Sequence, residues 1–182
     1  MGGDLPLARR LTAARRTHDR VVRRAAAKVG DMKTFQTLAE FPALVGQEVA
    51  VSDWLTITQE QVNLFAQATG DHQWIHVDVE RARAGPFGGP IAHGFLTLSL
   101  LPRFFESAME IAGSRMGVNY GLNRVRFMAP VPVGSRLRAR MKLLACEPIA
   151  GDGMQMTWEV TVEREGEAKP ACVAESIARR YP

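Results

Sequence analysis

The chain has 182 residues, 46% hydrophobic and 23% charged, a length and composition that suit one domain with a single substantial core. No apolar run approaches the ~18 residues of a membrane-spanning helix, which argues against a membrane protein. Of the 23 basic and 19 acidic residues, eight basic and two acidic fall within residues 1–30. The net charge of +4 therefore belongs to that segment, and the remaining body is not a nucleic-acid-binding surface by charge.

Residues 1–30 are rich in Ala and Arg and read as a disordered extension, leaving residues 31–182 as one domain. The extension resembles an organellar transit peptide in composition but lacks the apolar core of a secretory leader. With only Cys146 and Cys172 and no leader, the thiols are expected to be reduced and the protein cytoplasmic.

Residues 31–46 form a lead-in, and residues 47–57 have enough β-branched, alternating positions for one strand. Thr58 and Gln61 make a capping box for a helix that Gly70 ends. A short helix follows from Asp78 to Gly85, and the breaker-dense Gly85–Pro90 is a loop. Ile91–Leu101 is apolar on nearly every side and predicts a long buried helix, with Pro102 as a kink before 104–109. From Gly117 onward strands dominate, among them 122–134 (interrupted by prolines), 136–143, 154–163 and 171–181, with 150–153 as a hairpin connection. Such segregation predicts an α+β fold in which an antiparallel sheet curls around one central helix.

Thr69–His76 reads TGDHQWIH. Asp71 and His76, five positions apart where a helix stops, can hold one water between them, one group taking its proton while the other donates. The alternatives are a turn-capping aspartate and a packed histidine. Gly94, preceded by His93, stands near the start of the apolar helix, where N–H groups lack intrahelical acceptors and a missing side chain admits a ligand. An acid/base pair facing such a donor is what addition of water to a carbonyl-conjugated double bond requires; for Gly94 the alternative is tight helix–sheet packing. His72 and His76 have metal-ligand spacing only if helical, and Gly70 has ended the helix, so no metal is expected.

GDHQWIHVD, IAHGFLTLSLL and NYGLNRVRFMAPVPVG together resemble the MaoC-like, (R)-specific enoyl-CoA hydratase family, over roughly residues 45–180. The resemblance implies a hotdog fold with an antiparallel β-sheet wrapped around a long central α-helix. It implies reversible hydration of a trans-2-enoyl-CoA thioester to an (R)-3-hydroxyacyl product, with Asp71 and His76 as the acid/base pair and the Gly94 N–H on the thioester oxygen. Gln73-Trp74 replaces the family's usual Asn-Pro, which bears on pocket shape and substrate choice. Substrate contacts are expected at Gln73, Trp74, His93, Asn123 and Arg124. Arg124, with Arg126, suits the phosphates of an acyl carrier, the alternative being a solvated strand face; Trp54 and Trp74 either line an acyl pocket or pack. No cofactor is expected beyond the CoA or carrier thioester substrate. A homodimer formed by edge-strand pairing is expected, with strand 154–163 unable to remain an open edge. Two rival activities remain: an acyl-CoA thioesterase, and a non-catalytic thioester-binding subunit.

Overall fold

A computed structural model describes residues 32–182. The extension expected at residues 1–30 lies outside that range. Strand β1 (Lys33–Phe35) leads into a 3-10 helix at Leu38–Leu44, then β2 (Glu48–Val51) and β3 (Leu55–Thr56). Helices α1 (Gln59–Thr69), α2 (Trp74–Val77), α3 (Val79–Arg83), α4 (Gly94–Ser99) and α5 (Leu101–Ala108) follow. The chain closes with β4 (Met109–Ile111), β5 (Met116–Phe127), β6 (Arg136–Ile149), β7 (Gly153–Arg164) and β8 (Cys172–Tyr181). The main sheet has six strands in the order β2-β6-β7-β8-β5, all antiparallel, with β3 also pairing β6. β1 and β4 form a separate parallel pair.

The inner face of the sheet is apolar at alternate positions: Leu137, Ala139, Met141 and Leu143 on β6, and Met156, Trp158, Val160 and Val162 on β7, are all buried. Leu96, Leu101, Phe104 and Ala108 of α4 and α5 join the same core. Positive φ at Gly151 and Asp152 lets a tight connection join β6 to β7, as primed hairpin turns require.

Three expectations are corrected. The central helix does not run unbroken from Ile91. Ile91 makes a β-bridge with Pro132, helical structure starts at Gly94, and the helix is divided at Leu100, with Pro102 seated in the first turn of α5 rather than at a kink. Strand 154–163 lies inside the sheet between β6 and β8, so the long open edge is β5. Residues 47–57 form two short strands, not one. At the gap, the buried Ser52 substitutes its hydroxyl for a strand partner: its N–H donates to the Ala139 carbonyl at 2.9 Å, and the Ala139 N–H donates to Ser52 Oγ at 2.8 Å. Ser52→Ala leaves that buried N–H without an acceptor and should cost about 1–3 kcal/mol, read as a lower Tm with unchanged far-UV circular dichroism.

Candidate active site

The capping box at α1 forms as expected: Gln61 N–H donates to Thr58 Oγ1, and Thr58 N–H to the Gln61 side chain. Gly70, with φ 78°, closes the helix in the left-handed region and its N–H donates to the Ala66 carbonyl. This turn delivers Asp71 into an exposed loop, where its carboxylate accepts from the Gln73 N–H at 3.4 Å. His76 follows on the single turn of α2, buried, with its backbone carbonyl held by Gln59 Nε2 at 2.8 Å.

The hydrogen bonds fix both histidine tautomers, because a carbonyl oxygen only accepts. His76 Nδ1–H donates to the Ile91 carbonyl at 2.7 Å, and His93 Nε2–H donates to the Asp71 backbone carbonyl at 3.0 Å. When neutral, His76 therefore keeps its lone pair on Nε2. The two rings stack, 3.8 Å between centroids and 27° between planes, with Phe65 packed against His93. One oxygen of Asp71 and one nitrogen from each ring lie within 4.8 Å of one another. Burial holds His76 below its ordinary pKa, and neighbouring His93 pushes the same way; the Ile91 carbonyl and the Asp71 carboxylate oppose them. Groups this close can share one proton or one water.

A cavity of about 290 Å³ is lined by His76, Gly94, Thr97, Phe127 and the 128–131 segment. Two residues distant in sequence, His76 and Gly94, thus face one space, with Asp71 beside it. As the first residue of α4, Gly94 has no intrahelical acceptor for its N–H. A Cβ there would lie 2.9–3.1 Å from atoms of the Phe127 ring, so Gly94 also has a packing reason to lack a side chain.

Of the other expected site residues, His93 is gathered here, while Trp74, Asn123 and Arg124 are not. Gln73 is exposed and contributes its N–H to Asp71. Trp74 packs on Gly85 and beneath Arg81, whose guanidinium carbon is 4.6 Å from the ring centroid. Trp54 is covered by Arg136 and Arg138. Asn123 donates to Glu175 across the β5–β8 pair, and Arg124 is exposed on β5. His93 is buried and serves as a support for Asp71 and His76, its Nδ1 lacking a partner among the described residues. Gln59 and Phe127 also support the site, though a helix-opening Gln and a strand-ending Phe carry no sequence pattern that marks them as props for His76 and Gly94.

Residues 40–165 match the family model described as MaoC like domain, and the chain belongs to this dehydratase family. It is similar to 3-hydroxyacyl-thioester dehydratase Z of Mycobacterium tuberculosis (strain ATCC 25618 / H37Rv), 60% identical over 148 residues that cover 81% of this chain and 98% of that protein. Nodulation protein N of Rhizobium leguminosarum bv. viciae is 52% identical over 143 residues, covering 78% and 89%. The solved (R)-hydratase from A. caviae, at 22% identity, superposes with a TM-score of 0.58 over 76% of this chain and 96% of its own, a likeness of the hotdog fold.

Gly94→Ala should lower stability by about 1–3 kcal/mol through overpacking against Phe127. In a Phe127→Ala background the same change should cost much less, a coupling measurable as a thermal-denaturation double-mutant cycle.

Proposed function

We propose that the chain reversibly hydrates a trans-2-enoyl-CoA thioester to the (R)-3-hydroxyacyl thioester. The observation that carries this reading is the convergence of His76 and Gly94 on one cavity with the Asp71 carboxylate alongside. The family membership and the dehydratase name of the relative at 60% identity support the reaction class. In this mechanism the water oxygen bonds C3 of the enoyl group while His76 Nε2 takes a proton from that water. The Asp71 carboxylate accepts the other hydrogen bond and orients the water. The electron pair displaced from the double bond builds charge on the thioester oxygen, where the Gly94 N–H donates. The proton held by the pair then passes to C2, so the addition is proton-neutral and needs no cofactor.

Loss of enoyl absorbance from crotonyl-CoA or a longer enoyl-CoA, without release of free thiol, tests the reaction and separates it from thioester hydrolysis. Asp71→Asn and His76→Gln should each fold and lose about 100-fold or more of kcat/KM. The pH profile follows from the direction of the His76 shift. With its pKa lowered from 6.5, the base form persists below the pH at which an ordinary histidine protonates. Wild-type kcat/KM should therefore decline toward acid pH along a limb centred below the ordinary histidine value of about 6.5. A limb centred above that value would remove His76 as the base.

We further propose a homodimer paired through β5. Its edge is long, and Met116, Val118, Tyr120 and Leu122 expose large apolar side chains along it, a combination that folded proteins seldom leave open. Sedimentation at micromolar concentration should give a dimer, and Tyr120→Asp should shift it to monomer.

A further inference from the structure

His93 stands between two residues that line the site cavity, Ala92 and Gly94, yet it does not border that cavity itself and is only 2% exposed. Its ring meets Phe65 of α1 at 5.0 Å between centroids and stacks on His76 of α2 at 3.8 Å. Its Nε2–H reaches 22 residues back along the chain to the Asp71 carbonyl, at 3.0 Å. Its own carbonyl accepts the Thr97 N–H at 3.2 Å and so opens α4. One residue therefore joins three parts of the site: the turn after Gly70, the turn that carries His76, and the first turn of the helix that presents Gly94.

A backbone carbonyl only accepts, so the neutral His93 ring carries its proton on Nε2 and its lone pair on Nδ1. That Nδ1 is buried and has no hydrogen-bond partner among the described residues. The hydrogen bond that the ring does make is thus given to the backbone of Asp71 and not to a group that reacts. Asp71 is exposed, and its carboxylate accepts from the Gln73 N–H at a long 3.4 Å. A turn held that loosely needs a second tether if its carboxylate is to meet a water at His76 Nε2. Misplacement of a reacting group by about 1 Å can cost about 100-fold in rate.

We infer that His93 is a positioning residue: its Nε2–H fastens the Asp71 turn to the start of α4 while its ring backs His76, so that the acid/base pair keeps its place relative to the Gly94 N–H. It acts through those three residues and does not touch the substrate. For its kinetic consequence the inference rests on the hydration proposed above; its structural content, a tautomer and a ring contact, can be read without substrate. The titratable groups facing His76 are Asp71 on the loop and His93 ahead of α4. From α1 and the 90–92 segment it meets the Gln59 amide and the Ile91 carbonyl, which carry no charge. Removing the His93 imidazole takes away one of the two influences that hold the His76 pKa down and leaves the larger one, burial.

Two substitutions separate the donor from the ring. His93→Phe keeps an aromatic face without an N–H, and His93→Gln keeps an amide N–H at the reach of Nε2 without a ring. His93→Phe should lower kcat for enoyl-CoA hydration roughly 10-fold, the worth of a lost neutral hydrogen bond, with KM little changed. His93→Gln should recover most of that loss. In both variants the protonation of His76, followed through its ring nitrogen shifts by NMR, should move to higher pH than in the wild type. The same spectra of the wild-type chain, which has four histidines, should show His93 as the Nε2–H tautomer. An Nδ1–H tautomer at His93, or full kcat in His93→Phe, would overturn the inference. So would a raised KM at constant kcat, which would make His93 a substrate contact, or an equal loss in His93→Gln, which would reduce its role to ring packing. If the wild type hydrates no enoyl thioester, the proposed reaction falls, and the tautomer and the direction of the His76 titration still decide the place of His93; they decide it too if His93→Phe does not fold.

Discussion

The site depends on one extended segment, Pro90–His93, clasped from two sides. Ile91 N–H donates to the Ile75 carbonyl at 3.0 Å, while Ala92 N–H donates to Val131 and Val133 N–H to Pro90. The Ile91 carbonyl in turn accepts from His76 Nδ1. A segment of four residues therefore fixes the turn that holds His76, the start of the helix that presents Gly94, and the 131–133 segment on the far side of the cavity. Pro90 removes one N–H that would need a partner in so crowded a crossing.

The same clasp governs the electrostatics. Its carbonyl commits one nitrogen of His76 and favours the charged ring, but burial foremost and then the stacked His93 disfavour a second proton there. The histidine is thereby kept a base, while Asp71, anchored only by turn hydrogen bonds and by its backbone carbonyl, stays in contact with solvent. The two groups differ in environment: His76 is desolvated and directed, whereas Asp71 is exposed. Division of the helix at Leu100 separates this polar end from α5, whose Leu101, Phe104 and Ala108 belong to the core.

Much of this was legible in the sequence because it is local. The Thr58–Gln61 box, the Gly70 stop, the β6–β7 hairpin and the alternation of strands 136–143 and 154–163 each rest on residues close together in the chain. TGDHQWIH and AHGF were visible as motifs for the same reason. What could not be read was long-range. Apolar character all round Ile91–Leu101 suits either a buried helix or a buried extended segment, and only the partners at Ile75 and Val131 decide for the latter at Ile91 and Ala92. Strand order is equally non-local, so alternation could identify β7 as a strand but not place it inside the sheet. The tryptophans misled for a related reason: their large apolar area fits a pocket wall as well as a stack beneath arginines, and the latter is where Trp54 and Trp74 are found.

The clasp also bears on the order in which the molecule is built. The β6–β7 ladder closes across a tight turn and loses little chain entropy in forming. The site needs contacts that span greater separations, 15 residues for His76 with Ile91 and 22 for His93 with Asp71, and then the meeting of Ile91 with Pro132. Contacts of that kind form against a larger loop-closure cost and so consolidate after the hairpin. The chemistry of this chain is thus assembled by contacts less local than its tightest hairpin, and a partly folded molecule can possess the β6–β7 ladder before it possesses a site.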